Sequence, residues 1–293
     1  MGGKQKQRRP AERRERIPYV GRPFEGLAGE SDWVAMREII PAGTAPLRLV
    51  GEQAGRDLTL VTLLPTGAPA LVRASGEVVL AIQISPASGD VSRDLAANLE
   101  RALAAEPGQA LPTAPPPGPG PRLQDLLDGA GEPGDPPATG LPVTVHTGFD
   151  FWVADADTTP AAQAALEQAN AAIVPTVRLA SVTSAYWTRN QGRTFLRWVL
   201  PYDEEPLLDA LARLHAAHAD SLLEDSRFLG SFRAHGLLVP VWELPPSTAA
   251  EDCESPTASY LDRLRETLAD PRPLTSAERG ARAGLLNRQL TLA

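Results

Sequence analysis

Few residues in this chain have the types and spacing that chemistry needs. His215 and His218 stand three apart in "LLDALARLHAAH" (207–218), a stretch of helical periodicity, with Asp220 just beyond. On a helix that spacing places two imidazoles on one face toward a metal ion, with Asp220 or His235 as a third ligand. The same histidines near a helix C-terminus also serve as caps, where the dipole favours imidazolium. Tyr186, Trp187, Arg189, Arg193 and Arg197 crowd "AYWTRNQGRTFLRWVL" (185–200), two alternating arms around a polar, Gly-containing tip. That is a hairpin pattern. On the second arm Arg193, Phe195, Arg197 and Val199 share one face, and Thr194, Leu196, Trp198 and Leu200 share the other. With Tyr186, Trp187 and Arg189 on the neighbouring arm, the arginine face is the best candidate surface for a partner. Aromatic and basic sheet faces stack bases and hold phosphates in RNA-binding domains. The same stacking also stabilises a sheet with no ligand at all.

Other chemistries are disfavoured by what the chain lacks. Both lysines, Lys4 and Lys6, lie at the N-terminus, and residues 17–293 contain none. A Schiff base, a P-loop lysine or a Ser-x-x-Lys pair therefore has no lysine to use, and arginine cannot lose a proton in its place. The single cysteine, Cys253, excludes an intrachain disulfide framework and a multi-cysteine zinc site. It sits in "AAEDCESP", where carboxylates raise a thiol's pKa. No Gly-x-Ser-x-Gly elbow supports a serine triad. The acidic clusters Asp203-Glu204-Glu205 and Glu251-Asp252-Glu254 read as a helix N-terminus and a solvated loop. No cofactor is expected.

Charge is uneven. Residues 1–16 carry seven Lys and Arg against two Glu, whereas the remaining 277 carry 21 basic and 34 acidic residues. A basic arm on an acidic body is a candidate nucleic-acid contact or a solvated, disordered tail. The polar N-terminus has no apolar core of a targeting signal, and no apolar run suffices for a membrane span. A cytoplasmic protein that does not engage membranes is the expectation.

The elements that must position these residues fall into two halves. The Pro- and Gly-rich segment 107–140 reads as a linker, with "RLQDLLD" as a docked turn or a sticky spot within it. On either side the same order recurs: "REIIPAGTAPLRLV" with "NAAIVPTVRLA", "VRASGEVVLAIQI" with "TRNQGRTFLRWVL", "LAANLERALAAE" with "LLDALARLHAAH", and "GLPVTVHTGF" with "HGLLVPVWEL". The expected fold is α+β: two similar units of antiparallel sheet plus helix, a tandem duplication, with two C-terminal helices. The first copy has an additional strand pair around "DLTLVTLL" (57–64). The expected divisions are a basic tail at 1–16, a first unit at 17–106, the linker at 107–140, a second unit at 141–246 and a helical extension at 247–293. The strand at 141–148 is assignable to either unit. Thr159-Pro160 and Ser255-Pro256 look like helix starts, and Thr275 to Glu278 forms a capping box.

"IPYVGRPFEGLAGESDWVAMREIIPA", "HTGFDFWV" and "LTSAERGARAGLLNRQLTL" resemble an uncharacterised actinobacterial family classed as a domain of unknown function. Its members sometimes carry the labels topoisomerase or SecA-like, which this chain's motifs do not support. The resemblance implies no activity and no catalytic residues. Separately, Asp155-Ala156-Asp157-Thr158-Thr159 resembles the Asp-x-Asp-x-Thr signature of haloacid-dehalogenase-type phosphatases. That likeness implies a nucleophilic Asp155 and an acid in Asp157. The family's lysine has no counterpart, and the same residues suit a helix start. The leading expectation is a non-enzymatic binding or regulatory protein with an unknown protein partner. An RNA- or ribosome-associated protein using the arm at 1–16, and an enzyme of unrecognised type, are the alternatives.

Overall fold

A computed structural model describes residues 17–85, 87–129, 140–153 and 159–287 of the 293. Among the described residues there are seven α-helices and two five-stranded sheets. The first half runs α1 (Glu30–Glu38), β1 (Gly43–Leu47), β2 (Leu58–Val61), β3 (Ala70–Val72), β4 (Val78–Ala81), α2 (Val91–Leu103), α3 (Leu123–Leu126) and β5 (Thr144–Val145). The second runs α4 (Pro160–Ala171), β6 (Thr176–Arg178), β7 (Ala185–Asn190), β8 (Arg193–Trp198), α5 (Glu204–Ala216), β9 (Arg227–Ala234), β10 (Leu237–Leu244), α6 (Glu254–Leu268) and α7 (Ser276–Asn287). The fold is α+β, with one sheet from each half, as the two-unit reading expects. None of the described helices is long and apolar enough to cross a membrane.

Pairing differs between the sheets. The first has the order β3-β4-β2-β1-β5, and its β2 and β4 run parallel while its other neighbours are antiparallel. The second, β6-β7-β8-β10-β9, is antiparallel throughout. Two of its hairpins turn in two residues, Gln191-Gly192 and His235-Gly236, with φ of 50° and 76°, and of 49° and 85°. Positive φ at both central positions matches the right-handed twist of the flanking strands, which is why glycine takes the second place. The strand at 144–145 belongs to the first sheet, where Gly43 and Thr44 pair with Val145 and Thr144.

The second sheet is covered on both faces. Ala185, Trp187, Leu196, Trp198, Leu238 and Trp242 pack toward α5, α6 and α7. Tyr186, Val199, Phe232, Val239 and Val241 enter a core shared with α1, α2 and the first sheet. Strict alternation on β7 and β8 sends neighbouring residues to these two cores. The C-terminal helices lie on the second unit, with Tyr260 and Leu264 fully buried against Trp198 and Trp242. The capping box forms, with the Thr275 N–H donating to Glu278 and the Glu278 N–H to Thr275 Oγ1. At α6 the helix begins at Glu254, one residue before Ser255, because a 3₁₀ turn over Glu251–Cys253 runs straight into it.

Residues 107–129 of the Pro- and Gly-rich segment lie against the first unit. Val72 N–H donates to Gln109 O at 2.8 Å, and Leu123 of α3 is fully buried. The basic arm at 1–16 and the pair Asp155 and Asp157 fall outside the described residues.

Candidate interaction face of the second sheet

The register of β7 and β8 decides what the hairpin can present. Tyr186 lies opposite Arg197, Trp187 opposite Leu196, and Asn190 opposite Arg193. Residues directly opposite one another share a side of the sheet. The five candidate residues are therefore divided: Tyr186, Arg193 and Arg197 on one side, Trp187 and Arg189 on the other. The single mixed face expected from the sequence does not form.

Three of the five are structural in their contacts. Tyr186 is fully buried. Burial, then the charge of Asp32, pushes its phenol well above the ordinary value. Trp187 is 7% exposed and its indole N–H donates to Thr248 O at 3.1 Å. Arg189 stacks 4.8 Å from the Trp187 ring centre and donates to Pro246 O and Thr248 O. It fastens the loop after β10.

Arg193 and Arg197 remain on the other side, with Phe195 between them. Their guanidinium carbons lie 5.0 and 6.0 Å from its ring centre. Glu243 of β10 faces Phe195, and it bridges Arg193 at 2.8 Å and Arg227 of β9 at 2.7 Å. Hydrogen bonds from Arg193 and then Arg227 hold the Glu243 carboxyl below its usual range. Arg197 differs from both. It is half-buried, and burial pushes its pKa down. Among the described residues no carboxylate pairs with it and no oxygen accepts from it. The patch thus sets three arginines against one glutamate, within a chain of net charge −8.

A second polar group, which local sequence patterns did not reveal, lies where the halves meet. Asp32, in the first turn of α1, is fully buried. It accepts from Ser184 Oγ at 2.6 Å and pairs with Arg178 at 3.1 Å. Leu141 N–H also donates to it. Burial raises the Asp32 carboxyl pKa against the opposing pull of Ser184 and Arg178. Nearby, His235 Nε2 meets Glu38 at 2.7 Å, and Arg22 ties Glu30 to Asp203. These contacts span 146 to 197 residues of sequence in the cases of Arg178–Asp32 and His235–Glu38, so no local pattern carries them. The Asp32 group acts as a lock: its carboxylate is fully buried, and Arg178 of β6 and Ser184 hold α1 to the second sheet, while the His235–Glu38 pair is half-buried and Asp203 is exposed.

The histidine pair is not assembled. α5 ends at Ala216, and His218 follows in the left-handed conformation with φ of 55°. Ala219 N–H donates to Leu214 O and His218 N–H to His215 O, the Schellman pattern that closes a helix. His215 Nδ1 meets Asp220 at 2.6 Å. Among the described residues no group of three His, Cys, Asp or Glu could hold a metal ion. Cys253 is buried, and its thiol is pushed up to about 11 by burial first and by Asp252, Glu254 and Glu251 next. Cavities of 620, 550 and 550 Å³ flank α2, the 178–183 loop and β1–β2, and none of the three is lined by a histidine.

Comparison with curated proteins and with solved structures found no match to either. A family model does match, over residues 23–293, and it spans both sheets and the C-terminal helices. The chain belongs to this family, a family of unknown function (DUF5926).

Proposed function

We propose that this is a non-enzymatic, cytoplasmic binding protein that docks an acidic segment of a protein partner on Arg193, Phe195, Arg197 and Arg227. The observation that carries the reading is Arg197. Its half-buried guanidinium sits beside the Phe195 ring and donates to no oxygen among the described residues, so it is available to an incoming carboxylate. A carboxylate from a partner would supply the missing bond, and bidentate arginine–carboxylate pairs are among the stronger polar contacts. Phe195 would supply apolar area beside it. Glu243, already shared by two arginines, would set the register of the incoming charge. The two sheet-and-helix halves fit descent from a duplicated unit, in which the arginine face is a specialisation of the second copy.

The test uses fluorescence polarisation of a labelled hexaglutamate peptide and, separately, of a single-stranded RNA oligomer, at low salt. The full chain should bind the peptide, and Arg197→Met should weaken it at least about tenfold, a loss of ~1.4 kcal/mol. Equal binding by wild type and Arg197→Met would refute the reading. Preferential RNA binding, lost on deleting residues 1–16, would transfer the function to nucleic acid.

A further inference from the structure

Between α2 and α3 the chain reads "LPTAPPPGPGP" over residues 111–121, with prolines at 112, 115, 116, 117, 119 and 121. It has neither helix nor strand, yet its burial is periodic over residues 111–117, after which 118–120 are exposed. Leu111 is buried, Ala114 and Pro117 are half-buried, and the residues between them are exposed. A repeat of three is that of the polyproline II helix, which has three residues per turn and no internal hydrogen bonds. A strand would show a repeat of two and an α-helix one of 3.6.

Both ends of this segment are fixed. At the start Leu111 N–H donates to Ala70 O at 2.8 Å, and Arg101 donates to Pro112 O at 2.7 Å. Just past the end Arg122 pairs with Asp90 at 2.8 Å, and Leu123 N–H donates to Ser92 Oγ at 3.0 Å. Two outward ridges remain. One carries Pro112 and Pro115, the other Pro116 and Pro119, each pair with P-x-x-P spacing. Among the described residues no hydrogen bond reaches the backbone carbonyls of 113–121. The 620 Å³ cavity lies between this strap and α2, with Thr113, Ala114, Pro117 and an edge of the exposed Pro115 on one wall and Ala97, Asn98 and Ala104 on the other.

We infer that residues 111–121 are a displayed polyproline ligand, read by a partner domain whose groove is lined with aromatic rings. Rings pack against the flat faces of successive prolines, and a ring N–H or O–H donates to the free carbonyls. The segment carries no charge, which selects a neutral, aromatic groove over an acidic or basic one. Because both ends are anchored, the ordering that a free peptide undergoes on binding has already occurred. The cavity gives a ring edge access from the α2 side. This surface belongs to the first unit and is independent of the arginine face.

The experiment titrates the full chain into an isotope-labelled WW domain, a probe whose groove takes polyproline between aromatic rings. Resonances of the groove aromatics should shift with a dissociation constant below about 1 mM. Pro115→Ala/Pro116→Ala, which changes exposed positions only, should weaken this at least tenfold with an unchanged thermal midpoint. No shift with the full chain overturns the inference, even where a free peptide of residues 110–122 binds. Equal binding by the double variant also overturns it.

Discussion

Asp32→Ala is the sharpest perturbation of this fold. Asp32 is fully buried between α1 and the second sheet, and it accepts from Ser184, Arg178 and the Leu141 N–H. Its removal takes an acceptor from all three donors, of which Ser184 keeps Ser31 Oγ and Arg178 keeps Leu141 O and Val143 O as neighbours. Breaking a buried ion pair by deleting one partner costs about 3–5 kcal/mol. Arg178 keeps 26% side-chain exposure, so water recovers part of its loss. The lower end, ~3 kcal/mol, is then the working value. For a chain of 293 residues each kcal/mol moves the midpoint by about 1.5–2 °C, so the melting temperature should fall by roughly 5 °C. Tryptophan fluorescence and far-ultraviolet circular dichroism would follow it, with Trp33 reporting from the next position of α1. Asp32→Asn should cost less than Ala, because burial already disfavours the charged carboxylate and an amide oxygen still accepts from Ser184. A double-mutant cycle with Arg178→Met should show coupling of about 1 kcal/mol or more. A midpoint within about 2 °C of wild type for Asp32→Ala, or additive costs in the cycle, would refute the lock.

Three further outcomes follow from the same geometry. Gly29 precedes α1 at φ +69°, and a Cβ there would lie 2.3 Å from Leu141 N, so Gly29→Ala should destabilise by ~2 kcal/mol or more in urea melts. Glu38 is held below its ordinary 4.5, by the His235 hydrogen bond first. A carboxyl depressed on folding stabilises above its unfolded value and loses that contribution as pH falls through the folded one. The melting-temperature gap between wild type and Glu38→Gln should therefore be full at neutral pH and shrink below about pH 4.5; a gap independent of pH between 3 and 7 would contradict this. Cys253, buried with a thiol pushed up to about 11, should react with a disulfide reagent at pH 7.5 far more slowly in the folded chain than in urea. Equal rates would show the site to be open.

The sequence by itself determined the α+β class, the 185–200 hairpin with glycine at its tip, the capping box at Thr275 and the raised thiol pKa of Cys253. Each follows from local rules: period-two alternation, φ restrictions at a two-residue turn, free N–H groups at a helix start, and carboxylates a residue away. Only the tertiary structure decided which hairpin residues share a face. Register is set by packing between two cores, and it sent Trp187 inward to one and Tyr186 to the other, with Arg189 left exposed on the Trp187 side. Tertiary structure also ended α5 before His218, because the chain must turn there toward β9 and the left-handed residue closes the helix. The Asp32 lock was illegible for a different reason. Its members come from three distant segments, and their burial and pairing exist only once both halves share a core. The proline-rich segment lay between these cases. Composition gave its backbone preference, whereas the anchors at Ala70, Arg101 and Asp90 hold it against α2 and leave two ridges outward.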